Sequence, residues 1–430
     1  MGMESKGGSF QNKGETMNKE IVVQQTSTTK LKILNNKIDA VFRSHDTKTG
    51  IRLYDGKHIG VAGGIGKVDE NALTNKAKDM LKFSIPYPLI PAKNSVKKID
   101  LSNEFNITDK ELADITQELL SKLTKNYPDF SFSESISIEE GTESLKNDCA
   151  TDLLYNYKSA QLNLGIKYKK SLNMFDGMVS NITRMYTLED AYAACIKSLD
   201  AFENKVDIKD SEKLPVIFYD DNLVSFFYEH LHGKMFGAKA SMFSGKVDQK
   251  LFSDKFSLCI NRSPYDNFTC FFDGEGMMLD GNRVNLIENG VIKMPYASRK
   301  AAKDFGLTET ASAFFIYDSV PDTSGEGMDI VSSGKTLKQL IGGQRAILVE
   351  MALGGDYTAQ GEYSTPAQIA YLWENGKRIG RLPQIALSST VFDLFGKDFI
   401  GKATDGPYKN SPLSKYTVFN MKINKIGGHQ

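Results

Sequence analysis

Between Glu20 and Gly66 the apolar residues arrive in short, roughly alternating runs, a rhythm that suits strands and does not suit helices. The runs are Ile21-Val22-Val23, Leu31-Lys32-Ile33, Val41-Phe42 and Ile51-Arg52-Leu53. Asn35-Asn36, His45-Asp46 and Asp55-Gly56 separate them, all residue types that favour turns. The expectation is a β-meander, with Asp55-Gly56 as a two-residue hairpin turn between Arg52-Leu53-Tyr54 and Ile59-Gly60-Val61. More strand-like segments follow over 130–180, among them Phe130-Ser131-Phe132 and Gln161-Leu162-Asn163-Leu164.

Helices interrupt this pattern. Asp69 opens one to about Lys82, with Leu73, Ala77 and Leu81 four apart on one stripe. Thr108 and Glu111 stand at capping-box spacing, in which each side chain satisfies the other's backbone N–H. Leu112, Ile115, Leu119 and Leu123 follow at offsets of three and four, and Asn126-Tyr127-Pro128 ends the helix. A third helix is expected from Thr187, through Ala191 and Ile196, to Phe202.

The chain has 430 residues, more than one hydrophobic core usually organises. The charged stretch Asn204–Lys213 has little to bury and marks the boundary. The expected fold class is therefore α+β in two domains. Residues 1–17 read as a disordered extension, 18–205 as an N-terminal α/β-type domain, and 206–430 as a C-terminal β-rich domain. The second domain is expected to begin with a strand, Pro215–Tyr219, and a helix capped by Asp220 or Asp221. That helix carries Leu223, Phe227, Leu231 and Met235 on its apolar stripe. Strands should dominate after Lys246, with hairpin turns at Glu288-Asn289-Gly290 and Glu374-Asn375-Gly376.

Lys+Arg and Asp+Glu both number 53, and a balanced chain lacks the excess of cations that binding nucleic-acid phosphates requires. No run approaches the roughly 18 apolar residues of a membrane span. Cys149, Cys195, Cys259 and Cys270 are too few and scattered for a disulfide framework, so free thiols and the cytoplasm are expected.

Catalytic signatures are sparse. Gly60–Lys67 is rich in glycine, but Val61 stands where a phosphate loop needs glycine, and Val68 where it needs Ser or Thr. It reads as a strand-to-helix connection. His230 and His232, two apart, fall on opposite sides of a helix and cannot share a metal there, so solvent-facing or hydrogen-bonded roles are expected. No Gly-x-Ser-x-Gly elbow is present, and Asp322–Gly327 reads as a loop.

Taken in order, a series of segments resembles the TldD/PmbA (TldE) family, described as modulators of DNA gyrase and as an intracellular metalloprotease system. They are Ser241–Lys246, Phe272-Asp273-Gly274-Glu275-Gly276, Leu286–Lys293, Gly354-Gly355-Asp356-Tyr357, Gly361–Ser364, Trp373–Gly376 and Val391–Phe395. Upstream, Gly50–Gly56 and Asp69–Leu73 are similar to the family's N-terminal domain. The resemblance implies a two-domain, dimeric architecture with a peptide-processing cleft built mainly by the C-terminal domain. In catalytic members a His-Glu-x-x-x-His helix precedes Phe-Ser-Gly and holds zinc with a late cysteine. Counting back from Phe243-Ser244-Gly245 places Val224, Ser225 and Glu229 at those three positions, and no cysteine follows Cys270.

The departure resembles the PmbA/TldE branch, which lacks the motif and pairs with a metal-bearing relative. No catalytic residue, cofactor or metal is therefore expected in this chain, and zinc is expected in a TldD-like partner subunit that acts with it on unfolded or small peptides. His230, His232, Ser244, Gly245, Gly355 and Asp356 are the candidate cleft residues. Two alternatives stand beside this: a self-sufficient metallohydrolase using Glu229, His230 or His232, and a non-enzymatic homodimer that binds extended peptides through sheet edges.

Overall fold

The computed structural model describes residues 17–219, 222–352 and 354–426. Of the extension expected over 1–17 only Met17 falls among them, and the expected caps Asp220 and Asp221 lie outside them. Among the described residues the strands form three sheets. The first contains β1 (Asn18–Leu34), β2 (Lys37–Tyr54), β3 (Ile59–Ile65), β4 (Val96–Asp100), β5 (Phe130–Asn147), β6 (Thr151–Tyr168) and β7 (Gly177–Thr183). Its order is β3-β2-β1-β5-β6-β4, with β7 also alongside β6. Only β4 runs parallel to its neighbour.

The meander is simpler than its sequence suggests. β1 and β2 pair along their whole lengths, from Asn18 opposite Tyr54 to Leu34 opposite Lys37. Asn35 and Asn36 turn the chain with φ of 47° and 68°, the paired left-handed conformation of a tight hairpin. His45-Asp46 is not a turn: both residues lie inside β2, opposite Ser27 and Thr26. The Ser27 hydroxyl lies 2.7 Å from His45 Nδ1, so cross-strand pairing overrides local turn preference. The Asp55-Gly56 connection needs four residues, Asp55–His58, because Asp55 Oδ1 accepts the N–H groups of Lys57 and His58. Gly60, Gly63 and Gly64 lie in β3 itself, where a Cβ at Gly60 would sit 2.1 Å from the Ala77 carbonyl oxygen. Gly60 lets a helix pack onto the strand, and Gly63 makes room for Tyr317 and Asp318.

That helix is α1 (Glu70–Met80), N-capped by Asp69 and burying Leu73 and Ala77. In α2 (Asp109–Asn126) both bonds of the Thr108–Glu111 capping box are present, and Leu112, Leu119, Leu120 and Leu123 are buried against β5 and β6. The helix α3 (Leu188–Leu199) starts from a Thr187 cap, as expected, but stops three residues before Phe202.

The second half is β-dominated, as expected, and its strands are separated by long loops and short helices. Strand β8 (Lys213–Phe218) leads to a broken helical segment and then to a small sheet of β9 (Leu258–Asn261), β10 (Arg283–Glu288), β11 (Val291–Ile292) and β12 (Met328–Ile330). Long loops at 262–282 and 306–327 run between these strands, with a short helix at Arg299–Phe305 ahead of the second loop. The third sheet joins β8 to β13 (Ala346–Ala352), β14 (Asp356–Tyr357), β15 (Glu362–Glu374), β16 (Lys377–Arg381), β17 (Ile385–Thr390), β18 (Phe399–Lys402) and β19 (Thr417–Lys425). Its pairings close a ring, β8-β19-β17-β15-β13 and back to β8, which removes the open edges of those five strands. Both Glu-Asn-Gly segments are hairpin turns, with φ of 47° and 79° at Asn289-Gly290 and 50° and 80° at Asn375-Gly376. The ring packs on a phenylalanine-rich core in which Phe227, Phe243, Phe256 and Phe395 are unexposed.

Candidate functional site

The segment that carries the candidate residues is two short helices, α4 (Ser225–His230) and α5 (Gly233–Gly237), and not the single helix expected from its apolar stripe. The break lies at His232, whose backbone is extended (φ −66°, ψ 123°). Tyr296 imposes it: its N–H donates to the Leu231 carbonyl, and its own carbonyl accepts from Gly233. A Cβ at Gly233 would lie 2.9 Å from that same Tyr296 oxygen. The tyrosine hydroxyl also donates to the Tyr228 carbonyl at the end of α4.

His230 is buried, its ring 4.1 Å from that of Phe226, and its Nδ1 accepts the Met242 N–H at 3.3 Å. Burial pulls its pKa below the ordinary histidine value, against the opposing charge of Glu229. His232 is half-buried against Tyr296, and its Nδ1 accepts the Lys234 N–H and so caps α5. Burial lowers its pKa as well. Both histidines are hydrogen-bonded, and neither is solvent-facing.

Ser244 donates to the Phe236 carbonyl, and Gly245 turns the chain with φ of 75°. Gly355 (φ 87°) lies so close to β15 that a Cβ would meet the Ser364 carbonyl oxygen at 2.3 Å. Asp356 is exposed and accepts the Tyr357 N–H. Tyr357, absent from the expected cleft residues, ties these parts together. Its hydroxyl donates to the Leu223 carbonyl at 2.8 Å, and its ring packs 5.2 Å from Phe226 and 4.8 Å from Tyr363. Tyr357, the residue after Gly355-Asp356, and His230 both pack on Phe226, and Phe243, next to the Ser244-Gly245 turn, joins the cluster. The signal was the aromatic residue directly after the Gly-Gly-Asp triplet.

The three positions that align with a zinc motif do not suit zinc. Val224 is 1% exposed and offers no donor atom, Ser225 is half-buried, and Glu229 is exposed at the other end of α4. A zinc site needs three or four nitrogen, sulfur or carboxylate donors around one point. Among the described residues no three of His, Cys, Asp and Glu converge in that way.

A second group of motif residues sits at the seam between the first sheet and the long loops. Arg52 Nη1 donates to Glu20 Oε1 at 3.1 Å and to the Gly274 carbonyl, and Nη2 donates to the Ile316 carbonyl at 2.7 Å. The Tyr54 hydroxyl also donates to Glu20. On the other side Tyr87 donates to Glu275, whose second oxygen accepts the Arg299 N–H at 2.7 Å. Asp273 accepts three backbone N–H groups, from Glu275, Met277 and Ala313. Burial, reinforced by Asp273, raises the Glu275 pKa. The Asp-Gly-Glu-Gly motif thus organises the loop that docks on the first sheet.

Two family models match the chain: the PmbA/TldA metallopeptidase domain 1 over residues 20–82, and the PmbA/TldA metallopeptidase C-terminal domain over residues 211–411. No curated protein matches it. TldE from Thermococcus kodakarensis has a similar structure, with a TM-score of 0.78 at 19% identity over 95% of this chain and 96% of that one. A protein from Thermotoga maritima described as a candidate modulator of DNA gyrase gives 0.76 at 15% identity, again over 95% and 96%. One from Bacteroides thetaiotaomicron with a similar description gives 0.73 at 16% over 95% of each chain. At these identities the structures establish a common fold, and with the two family models the chain belongs to the PmbA/TldD family of metallopeptidase-related proteins.

Proposed function

We propose that this chain is the subunit of a TldD/TldE-type peptide-processing system that holds no zinc, and that it shapes the cleft and activates a metal-bearing partner. The observation that carries this is the donor chemistry of α4: a buried valine, a serine and a solitary exposed glutamate occupy the zinc-motif positions. The neighbouring His230 already spends its Nδ1 on the Met242 N–H. The fold shared with a protein named TldE supports the same assignment. What the chain offers instead is a packed aromatic cluster of Phe226, Tyr357 and Tyr363, in which Phe226 and Tyr363 are buried, a rigid support for the wall of a cleft. No described helix is long and apolar enough to cross a membrane, and the free thiols agree with action in a reducing cytoplasm.

The test is to mix the purified chain with a family member that carries His-Glu-x-x-x-His and to follow cleavage of unfolded peptides. The expected result is a stable complex that cleaves faster than either chain alone. Stoichiometric metal and activity in this chain by itself would establish a self-sufficient hydrolase. Peptide binding by a homodimer with no effect on the metal-bearing chain would establish the non-enzymatic alternative.

A further inference from the structure

A cavity of about 180 Å³ opens between β5, β6, the end of β7 and the 262–282 loop, and no residue of α4 lines it. Glu139, Tyr155, Tyr157, Gln161, Arg184 and Phe268 are among the residues that line it. Tyr155, Tyr157 and Gln161 reach it from one face of β6, where alternate residues point the same way. Gly141 lies opposite Tyr157 in the ladder, and a Cβ there would sit 2.2 Å from the tyrosine ring. The glycine lets that ring lie across β5, stacked 5.4 Å from Tyr155.

Arg184 is more than nine-tenths buried and forms no ion pair among the described residues. Its Nη2 donates to the Tyr155 hydroxyl and the Pro264 carbonyl, while its buried Nε has no partner. Phe268 covers the guanidinium at 4.0 Å and is held at φ 51° to do so. That is a conformation a bulky residue adopts only where its surroundings impose it, and such residues gather at binding sites. A buried guanidinium is costly without an anion. The cavity wall also carries one carboxylate, Glu139, which accepts the Tyr157 hydroxyl at 3.1 Å.

We propose that this cavity binds a free α-amino acid. Arg184 would take its carboxylate, Glu139 its ammonium group, and the rings of Tyr157 and Phe268 its side chain. The size agrees, since a cavity of about 150 Å³ accepts benzene and this one is slightly larger. An inorganic anion would satisfy Arg184 but would face Glu139; a simple amine would do the reverse. Because the walls come from both the first sheet and the loop that docks on it, an occupant fastens the two together.

The site shares no residue with the zinc-motif positions or the candidate residues around α4, so its test is separate from that of the subunit role. Calorimetry and thermal unfolding of the full chain with glycine, alanine and leucine, each beside its amine-free acid and its carboxyl-free amine, read the assignment directly. The expected result is saturable binding of at least one amino acid with a raised Tm, weakened about tenfold or more when either charged group is missing. Glu139→Gln, on a half-buried strand position, should erase the advantage of the amino acid over its amine-free acid. Arg184→Lys should weaken binding of both. Absence of binding by all three amino acids at millimolar concentration overturns the proposal, as does equal affinity for amino acid and amine-free acid in the unaltered chain.

Discussion

Arg52 and Glu20 form an ion pair of 3.1 Å in which the two side chains are 0% and 1% exposed. Each lies on a first-sheet strand, yet the guanidinium also donates to the carbonyls of Gly274 and Ile316, more than two hundred residues away. Removing one partner of a buried pair leaves the other charge without compensation and costs about 3–5 kcal/mol. Arg52→Met alone should therefore lower unfolding stability by about that much, and Glu20→Gln with Arg52→Met should cost less than the sum of the single changes. Urea denaturation of the four proteins checks this.

Glycines give a sharper contrast. At Gly274 a Cβ would meet the Phe314 carbonyl oxygen at 2.1 Å, whereas at Gly245 (φ 75°) nothing lies within 4 Å. Gly245→Ala should cost only the left-handed backbone penalty, about 1–2 kcal/mol. Gly274→Ala must move backbone and should cost more than about 3 kcal/mol, or prevent the loop from docking. Thermal unfolding of both variants separates the two cases.

Stability should fall as pH rises from the acid side towards neutrality. Burial first, and then the charge of Glu326, pushes the Glu143 carboxyl up to about 7 from 4.5, and burial also raises Glu275. A carboxyl raised on folding binds more protons in the native state than in the unfolded one, so stability declines between the unfolded and the folded pKa. For Glu143 that window runs from about pH 4.5 to pH 7. Chemical denaturation at a series of pH values should show the decline, and Glu143→Gln should flatten it.

Thiol chemistry is selective in the folded chain. Cys149 is half-buried, while Cys195, Cys259 and Cys270 are buried. Burial pushes the Cys195 and Cys259 thiols up to about 12, and the thiolate is the reactive form. Under native conditions a thiol reagent should modify Cys149 alone, with the other three reacting only on unfolding. Mass spectrometry of the labelled chain provides the count.

Much of this architecture was written in local chemistry. The Thr108–Glu111 box, the Asp69 and Thr187 caps and both Asn-Gly turns rest on residues within three or four positions of one another, and all formed as expected. Where distant partners decide, local signals fail. His45-Asp46 is turn-forming in isolation but is paired with β1. The apolar stripe through Leu231 suggests one helix, but Tyr296, sixty-five residues on, breaks it. The candidate cleft residues were visible as motifs. Tyr357's reach to Leu223 was not, because it depends on how β14 returns over α4.

The most direct check of the proposed role is the metal content of the purified full-length chain, measured by plasma mass spectrometry after exposure to zinc and gel filtration. Val224, Ser225 and Glu229 predict substoichiometric zinc and no peptidase activity alone, with activity appearing when the metal-bearing relative is added. One tightly held zinc per chain, with peptide cleavage in the relative's absence, would contradict the account.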